Sequence, residues 1–154
     1  MKEEDQANFG DFKANALTNK TIVLGVSGGI AAYKACDLAS LMKHAGANVH
    51  TILTPAACQF VSPLTFQTLT RNPAHCEQFG DDVNWRPEHI DLAQKADLFV
   101  IAPATANIIA KLALGICDDL LTTTVLATKA KVLIVPAMNQ LCGSILLLRI
   151  IWLF

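Results

Sequence analysis

Short apolar runs alternate with segments of helical periodicity along the chain. Four runs rich in β-branched and other apolar residues predict strands, at 21–26, 48–53, 97–102 and 131–135, and the first is of the kind that both faces of a parallel sheet bury. Segments in which apolar residues recur at helical spacing predict helices, at 30–45, 62–69, 105–114 and 119–128. Strands and helices that alternate in this way predict an α/β fold with a doubly wound parallel sheet and right-handed connections.

Turn-forming residues mark the ends of several of these elements. Gly46 follows the first helix at a position where glycine commonly ends helices, and Ser62-Pro63 is a typical helix start. Thr54-Pro55 opens a short helical segment whose middle holds Phe60. Residues 71–87 contain proline, glycine, asparagine and paired aspartates with weak periodicity, so we expect a long surface loop. Loops of that length in compact domains usually serve function.

Composition narrows the class of protein. The chain has 154 residues, of which 53% are hydrophobic and 16% charged, with a net charge of -1. These values predict one folded domain and exclude disorder as the state of the whole chain. The near-neutral balance also argues against nucleic acid and against a basic membrane patch as partners.

The cysteines and the two ends of the chain indicate a cytoplasmic protein. Five cysteines, an odd number without a CxxC pair, favour buried reduced thiols over a disulfide framework or a zinc site. Residues 1–19 are polar and aperiodic, so we expect a disordered leader and not a secretory signal. The apolar run at 145–154 is about half as long as a membrane-spanning helix requires, and Arg149 interrupts it.

The first strand is followed by Ser27-Gly28-Gly29, which could cradle an anion. In a doubly wound sheet, ligands bind beyond the carboxyl ends of the strands, where backbone N–H groups and helix N-termini attract phosphate. A tight turn without a ligand explains the glycines about equally well. The Walker pattern is absent, and the second strand ends at Leu53 without the acidic residue that would hold a dinucleotide ribose. NAD is therefore disfavoured, while a mononucleotide with one terminal phosphate remains open.

Three more residues near strand ends are candidates for a site. Thr105 begins a helix after the third strand, where it could cap that helix or present its N-terminus to a phosphate. Asn139 follows the fourth strand with an amide that can donate and accept hydrogen bonds. His89 precedes the third strand and, taken alone, is better explained as a helix-cap or partly exposed histidine.

Five motifs, taken together and in this order, resemble the flavin-dependent Cys decarboxylases. They are GVSGGIAAYK at 25–34, HIDLA at 89–93, APATANIIAK at 102–111, GICDDLL at 115–121 and PAMN at 136–139. The resemblance covers residues 20–140 and is greatest to the phosphopantothenoylcysteine decarboxylase domain of the bacterial bifunctional coenzyme A biosynthesis protein. It implies a Rossmann-like flavoprotein fold over these residues.

The resemblance also implies a cofactor, a reaction and an assembly. The cofactor would be FMN, and the residues implied to hold it are Gly28, Gly29, Ile30, Ala31, Thr54, Phe60, Thr105, Ala106, Asn107, Ile108 and Ala137. His89 would serve in acid-base chemistry and Asn139 would hold the substrate. The reaction would convert phosphopantothenoylcysteine to phosphopantetheine, because oxidation of the cysteine side chain to a thioaldehyde lets its sulfur accept the electrons left by departing carbon dioxide. Family members are homotrimers or multiples of trimers.

The resemblance ends at Leu141. The family continues after Asn139 with two residues and then Met-Trp, whereas this chain has Leu141, Cys142 and an apolar tail. If the Leu141 codon ends in A, a shifted frame reads ATG-TGG, Met-Trp, so we expect residues 141–154 to be out of frame and the fold to be incomplete at its C-terminus. Impaired decarboxylation would follow. The alternatives are a non-catalytic FMN-binding or regulatory subunit and, less favoured by the motifs, an FMN-dependent prenyltransferase.

Overall fold

A parallel sheet of five strands organises the described part of the chain. The computed structural model describes residues 15–77 and 88–144. The strands are β1 Thr21–Val26, β2 Asn48–Leu53, β3 Ala74–His75, β4 Leu98–Ala104 and β5 Lys131–Pro136, in the order β3-β2-β1-β4-β5. The helices are α1 Lys34–His44, α2 Pro63–Thr70, α3 Glu88–Lys95, α4 Ala106–Leu114, α5 Leu120–Ala127 and α6 Gln140–Ser144, and two 3-10 segments lie at Ile30–Tyr33 and Ala57–Gln59. The predicted α/β fold with a doubly wound parallel sheet is confirmed.

β1, β2 and β4 are covered on both faces of the sheet, which explains their apolar sequences, whereas β5 is mostly exposed. On one face, α1 and α2 bury Met42 and Phe66 against Leu24 and its neighbours. On the other, α4 and α5 bury Ile108 and Leu121 in a cluster that also holds residues of the central strands. Because alternate strand residues point to opposite faces, a strand buried on both sides must be apolar throughout.

The helix boundaries follow the capping signals in the sequence. The side chain of Ser62 accepts a hydrogen bond from the N–H of Leu64 at 3.2 Å, which caps α2. Gly46, just after α1, has a φ of 92°, and Gly115, at the end of α4, has a φ of 69°, both in the left-handed region that favours glycine. The predicted helix 30–45 begins with a 3-10 turn, and its α-helical part starts at Lys34.

The predicted loop 71–87 is wrong at two residues. Ala74–His75 forms the edge strand β3, which pairs with Thr51 and Ile52 of β2. A two-residue strand has too few positions to show an alternating pattern, so the sequence carries no signal for it. The remaining part of that prediction at 78–87 lies outside the described residues.

The cysteine prediction also needs a correction. Cys58 and Cys76 form a disulfide across 18 sequence positions, so the expectation of reduced thiols is wrong for this pair. The bond joins the segment after β2 to the end of β3, which are adjacent because those strands pair. Of the free cysteines, Cys36 is half-buried and Cys117 is exposed, so the expectation of burial is wrong for Cys117.

The N-terminal end of the described chain packs onto the domain. Residues 15–19 form a turn in which the N–H of Leu17 donates to the carbonyl of Ala45 at 2.8 Å. Residues 1–14 of the predicted leader and 145–154 of the predicted tail lie outside the described residues. Within 15–77 and 88–144, no helix is long and apolar enough to cross a membrane.

Candidate functional site

The strand order creates a crevice between β1 and β4. From β1 the chain proceeds outward through β2 and β3, then crosses back to β4 and continues outward to β5. The connections after β1 and after β4 therefore leave in opposite directions along the sheet, and such a switch point opens a crevice at the carboxyl ends of the strands. Both candidate phosphate motifs, 27–29 and 103–107, lie at this crevice.

Ser27 fixes the geometry of the crevice. Its hydroxyl donates to the carbonyl of Pro103 at 2.7 Å and accepts from the N–H of Thr105 at 3.0 Å. Ser27 is fully buried, and its own N–H donates to the same Pro103 carbonyl at 3.2 Å. The side chain therefore ties the end of β1 to the start of α4. The sequence predicts Ser27 only as part of the Ser27-Gly28-Gly29 turn, because nothing local indicates its bonds to residues that lie 76 and 78 positions away.

Gly28 is required by the close approach of two loops. A Cβ at Gly28 would lie 2.4 Å from the Cβ of Ala56 and 2.7 Å from its carbonyl carbon, closer than real Cβ contacts allow. The loop after β1 and the loop after β2 can meet only because this side chain is missing. Gly29 differs, since its φ of -166° is ordinary extended backbone and a Cβ there would lie 3.4 Å from Cγ2 of Thr105.

Thr105 caps α4, which is one of the two roles that the sequence predicts for it. Its hydroxyl accepts from the N–H of Ile108 at 3.5 Å at the start of α4. A helix leaves its first N–H groups without partners inside the helix, and those groups attract anions. Because Ser27 holds the N–H of Thr105, the N-terminus of α4 is fixed beside the 27–29 loop.

A cavity of about 370 Å³ occupies the crevice. Its lining comprises Gly28, Thr54, Pro55, Ala56, Thr105, Asn107, Ile108, Lys111, Asp118 and Asp119. Five of the predicted FMN residues belong to this lining, namely Gly28, Thr54, Thr105, Asn107 and Ile108. Thr54 also organises its loop, because its buried hydroxyl accepts from the N–H of Ala57 at 3.2 Å.

The other six predicted FMN residues do not line the cavity, although they lie in segments that follow β1, β2, β4 and β5. They are Gly29, Ile30, Ala31, Phe60, Ala106 and Ala137. Two carry large apolar side chains that are mostly uncovered, Ile30 at 77% exposure and Phe60 at 51%. The N–H of Ala137 donates to the carbonyl of Ala104 at 2.9 Å, which places the PAMN segment beside the end of β4.

Neither His89 nor Asn139 lines the cavity. His89 is half-buried in the first turn of α3, and because α3 ends just before β4 begins, that first turn lies toward the carboxyl edge of the sheet. The side-chain oxygen of Asn139 accepts from the N–H of Leu141 at 2.9 Å at the start of α6. Both residues thus belong to segments at the carboxyl edge of the sheet, and their roles stay predictions.

Three charged cavity residues were not identified from the sequence. The Lys111 ammonium lies 2.6 Å from a carboxylate oxygen of Asp118 and 3.4 Å from one of Asp119. The hydrogen bond from Lys111 lowers the pKa of the Asp118 carboxyl, and the same bond raises the pKa of Lys111. Asp119 also caps α5 through reciprocal bonds with Thr122. In sequence, a lysine seven and eight positions before two aspartates indicates nothing specific.

A larger cavity, of about 830 Å³, lies at the opposite edge of the sheet. It opens where β4 and β5 begin, and Asp97, Lys129 and Lys131 are its charged residues. The carboxylate of Asp97 is already occupied by the N–H of Thr21 at 2.8 Å and by Lys20 at 3.3 Å. No predicted site residue lies there, and the amino edge of a parallel sheet is not where ligands bind.

Comparison with known sequences relates the chain to flavoproteins. A family model described as Flavoprotein matches residues 13–144. The coenzyme A biosynthesis bifunctional protein CoaBC of Bacillus subtilis (strain 168) is 56% identical over 123 residues, covering 80% of this chain and 30% of that protein. CoaBC of Escherichia coli (strain K12) is 44% identical over 125 residues, covering 81% and 31%. The chain thus spans about a third of the length of these curated relatives.

Comparison with solved structures gives the same fold. The crystal structure of the FMN-dependent cysteine decarboxylase SpaF matches with a TM-score of 0.82 and 29% identity, over 89% of this chain and 79% of that chain. A PPC decarboxylase mutant complexed with pantothenoylaminoethenethiol matches with a TM-score of 0.74 and 26% identity, over 87% and 75%.

Proposed function

Because the chain belongs to the Flavoprotein family, we propose that it binds FMN and catalyses decarboxylation of phosphopantothenoylcysteine to phosphopantetheine, a step of coenzyme A biosynthesis. The single observation that carries the proposal is the cavity at the β1–β4 switch point, with a helix N-terminus and a glycine-dependent loop on its walls. Similarity to the CoaBC proteins and to FMN-dependent cysteine decarboxylases supports the choice of cofactor and substrate.

The residues at the crevice fit a phosphorylated flavin. The start of α4, with Thr105 and Asn107, offers N–H and side-chain donors for a phosphate. Gly28 keeps the neighbouring loops close, and Thr54 adds a hydroxyl to the wall. Phe60, half exposed after β2, would lie against the flavin ring. We assign Gly29, Ile30, Ala31, Ala106, Ile108 and Ala137 to the same cofactor on the strength of the motifs.

Two residues would act on the substrate. Bound FMN would accept two electrons from the substrate's cysteine side chain and return them to the enethiol left after carbon dioxide departs, so that the overall reaction is redox-neutral. His89 would move the proton that accompanies this oxidation, since imidazole both accepts and donates protons near neutral pH. Asn139 would hold the substrate through its amide N–H groups, while its side-chain oxygen accepts from the N–H of Leu141.

The reaction is tested by incubating the FMN-loaded protein with phosphopantothenoylcysteine and analysing the products by mass spectrometry. The proposal expects loss of carbon dioxide from the substrate. His89→Asn should keep the yellow colour of bound flavin and abolish substrate oxidation. His44→Asn is the matched control, because His44 lies exposed at the end of α1 and bonds to Ser40. A yellow protein that leaves the substrate intact would instead favour a non-catalytic flavin-binding subunit.

Assembly, location and the tail complete the proposal. We expect a homotrimer or a multiple of trimers in the cytoplasm. Light scattering of the purified protein should give three times the chain mass or a multiple of it, and a monomer would contradict this. Sequencing the gene tests the frame of residues 141–154, because a Leu141 codon ending in G, C or T excludes the shift described above.

A further inference from the structure

The cavity at the β1–β4 crevice has an unusual charge balance for a phosphate site. Its charged lining residues are one cation, Lys111, and two carboxylates, Asp118 and Asp119. Without Lys111, the described wall of the cavity would present two negative charges to the ligand. A flavin phosphate is itself close to a dianion at neutral pH, so uncompensated carboxylates would oppose its binding.

Lys111 is positioned to offset much of the electrostatic repulsion between these carboxylates and a phosphate. Its ammonium contacts both carboxylates, at 2.6 Å and 3.4 Å, and its side chain is only 21% exposed. Asp119 is 12% exposed, so its charge is poorly screened. Its side chain is held in place because it caps α5. Asp118 is 57% exposed and bonds to Lys111 from the solvent side.

We propose that Lys111 is a specificity-determining residue that permits a phosphorylated flavin in this cavity by compensating Asp118 and Asp119. The inference rests on the proposed binding of FMN. It goes further because it makes Lys111 the residue that lets the cavity accept FMN as well as riboflavin. Riboflavin has the same ring system without the phosphate, and Lys111 would act by neutralising the two carboxylates. A purely structural role, joining α4 to α5, would affect both ligands alike.

The test compares the affinities of FMN and riboflavin for wild-type protein and Lys111→Met by fluorescence titration. Loss of the lysine adds one unit of net negative charge near the phosphate dianion, which should weaken FMN binding about tenfold at low salt. Riboflavin carries no phosphate, so its affinity should change less than about twofold. Lys129→Met is the matched control, because Lys129 lines the cavity at the opposite edge of the sheet. Lys111→Arg keeps the charge and should keep the affinity for FMN.

A second variant keeps the inference testable if Lys111→Met fails to fold. Asp118→Asn removes one carboxylate, leaves the Asp119 cap intact, and should strengthen FMN binding severalfold while leaving riboflavin unchanged. The effect of Asp118→Asn should shrink as salt is raised, because the Asp118 carboxylate is exposed and salt screens it. Equal changes for the two ligands, or tighter binding of FMN to Lys111→Met, would overturn the inference alone. Wild-type protein that binds neither ligand would instead refute the proposed function.

Discussion

Replacing Ser27 with alanine tests whether one hydroxyl holds the crevice together. Ser27→Ala removes the bond to the Pro103 carbonyl and the acceptor for the Thr105 N–H. The Pro103 carbonyl keeps a partner, because the backbone N–H of residue 27 still donates to it. The Thr105 N–H, which is only half-buried, loses its acceptor, and the two lost hydrogen bonds together should cost about 2 kcal/mol.

The cost is measured by urea unfolding of the ligand-free protein, followed by circular dichroism. We expect the free energy of unfolding to fall by about 2 kcal/mol, and FMN binding to weaken because the start of α4 is no longer fixed. Ser40→Ala, on α1 and far from the crevice in sequence, should change stability by less than about 0.5 kcal/mol. If Ser27→Ala unfolds like the wild type and binds FMN equally well, the hydroxyl does not organise the site.

Three further predictions concern other contacts. Gly28→Ala should weaken FMN binding in a titration, because its Cβ would collide with Ala56 and separate the two loops; unchanged affinity would contradict this. The pKa of Asp97 is lowered by the N–H of Thr21 and by a lysine, so its charge stabilises the fold above about pH 4 and that stabilisation is lost as the pH falls further. Asp97→Asn should therefore be less stable than wild type in urea at neutral pH, and the difference should disappear as the pH falls through the lowered pKa of Asp97; a difference that persists once this carboxyl is protonated would argue against the ion pair. Cys58→Ser opens a disulfide loop of 18 positions and should lower stability by about 3 kcal/mol, with no difference under a thiol reductant; a difference that survives reduction would point to packing instead.

The sheet and most of its helices are predictable because their signals are local. Four strands follow from apolar runs, three of which the structure covers on both faces, and Ser62 marks a helix start through its own side chain. The edge strand β3 is not predictable, because two residues carry no period and pair only when β2 is already in place.

Some residues of the candidate site are likewise predictable from local sequence, and others are not. Gly28 and Thr105 follow from their positions after strands, where a doubly wound sheet binds ligands. The role of Ser27 depends on a bond to Pro103 across 76 positions, and the disulfide partner of Cys58 depends on strand pairing. Such contacts exist only in the folded chain, so sequence spacing gives no indication of them.

The central claim, that the β1–β4 crevice holds FMN, is tested most directly by equilibrium dialysis of the ligand-free protein against FMN. The account predicts one FMN bound per chain, and weaker binding by Ser27→Ala and Gly28→Ala than by Lys129→Met. A wild-type protein that binds no FMN, or variants at Ser27 and Gly28 that bind it as tightly as the wild type, would contradict the claim.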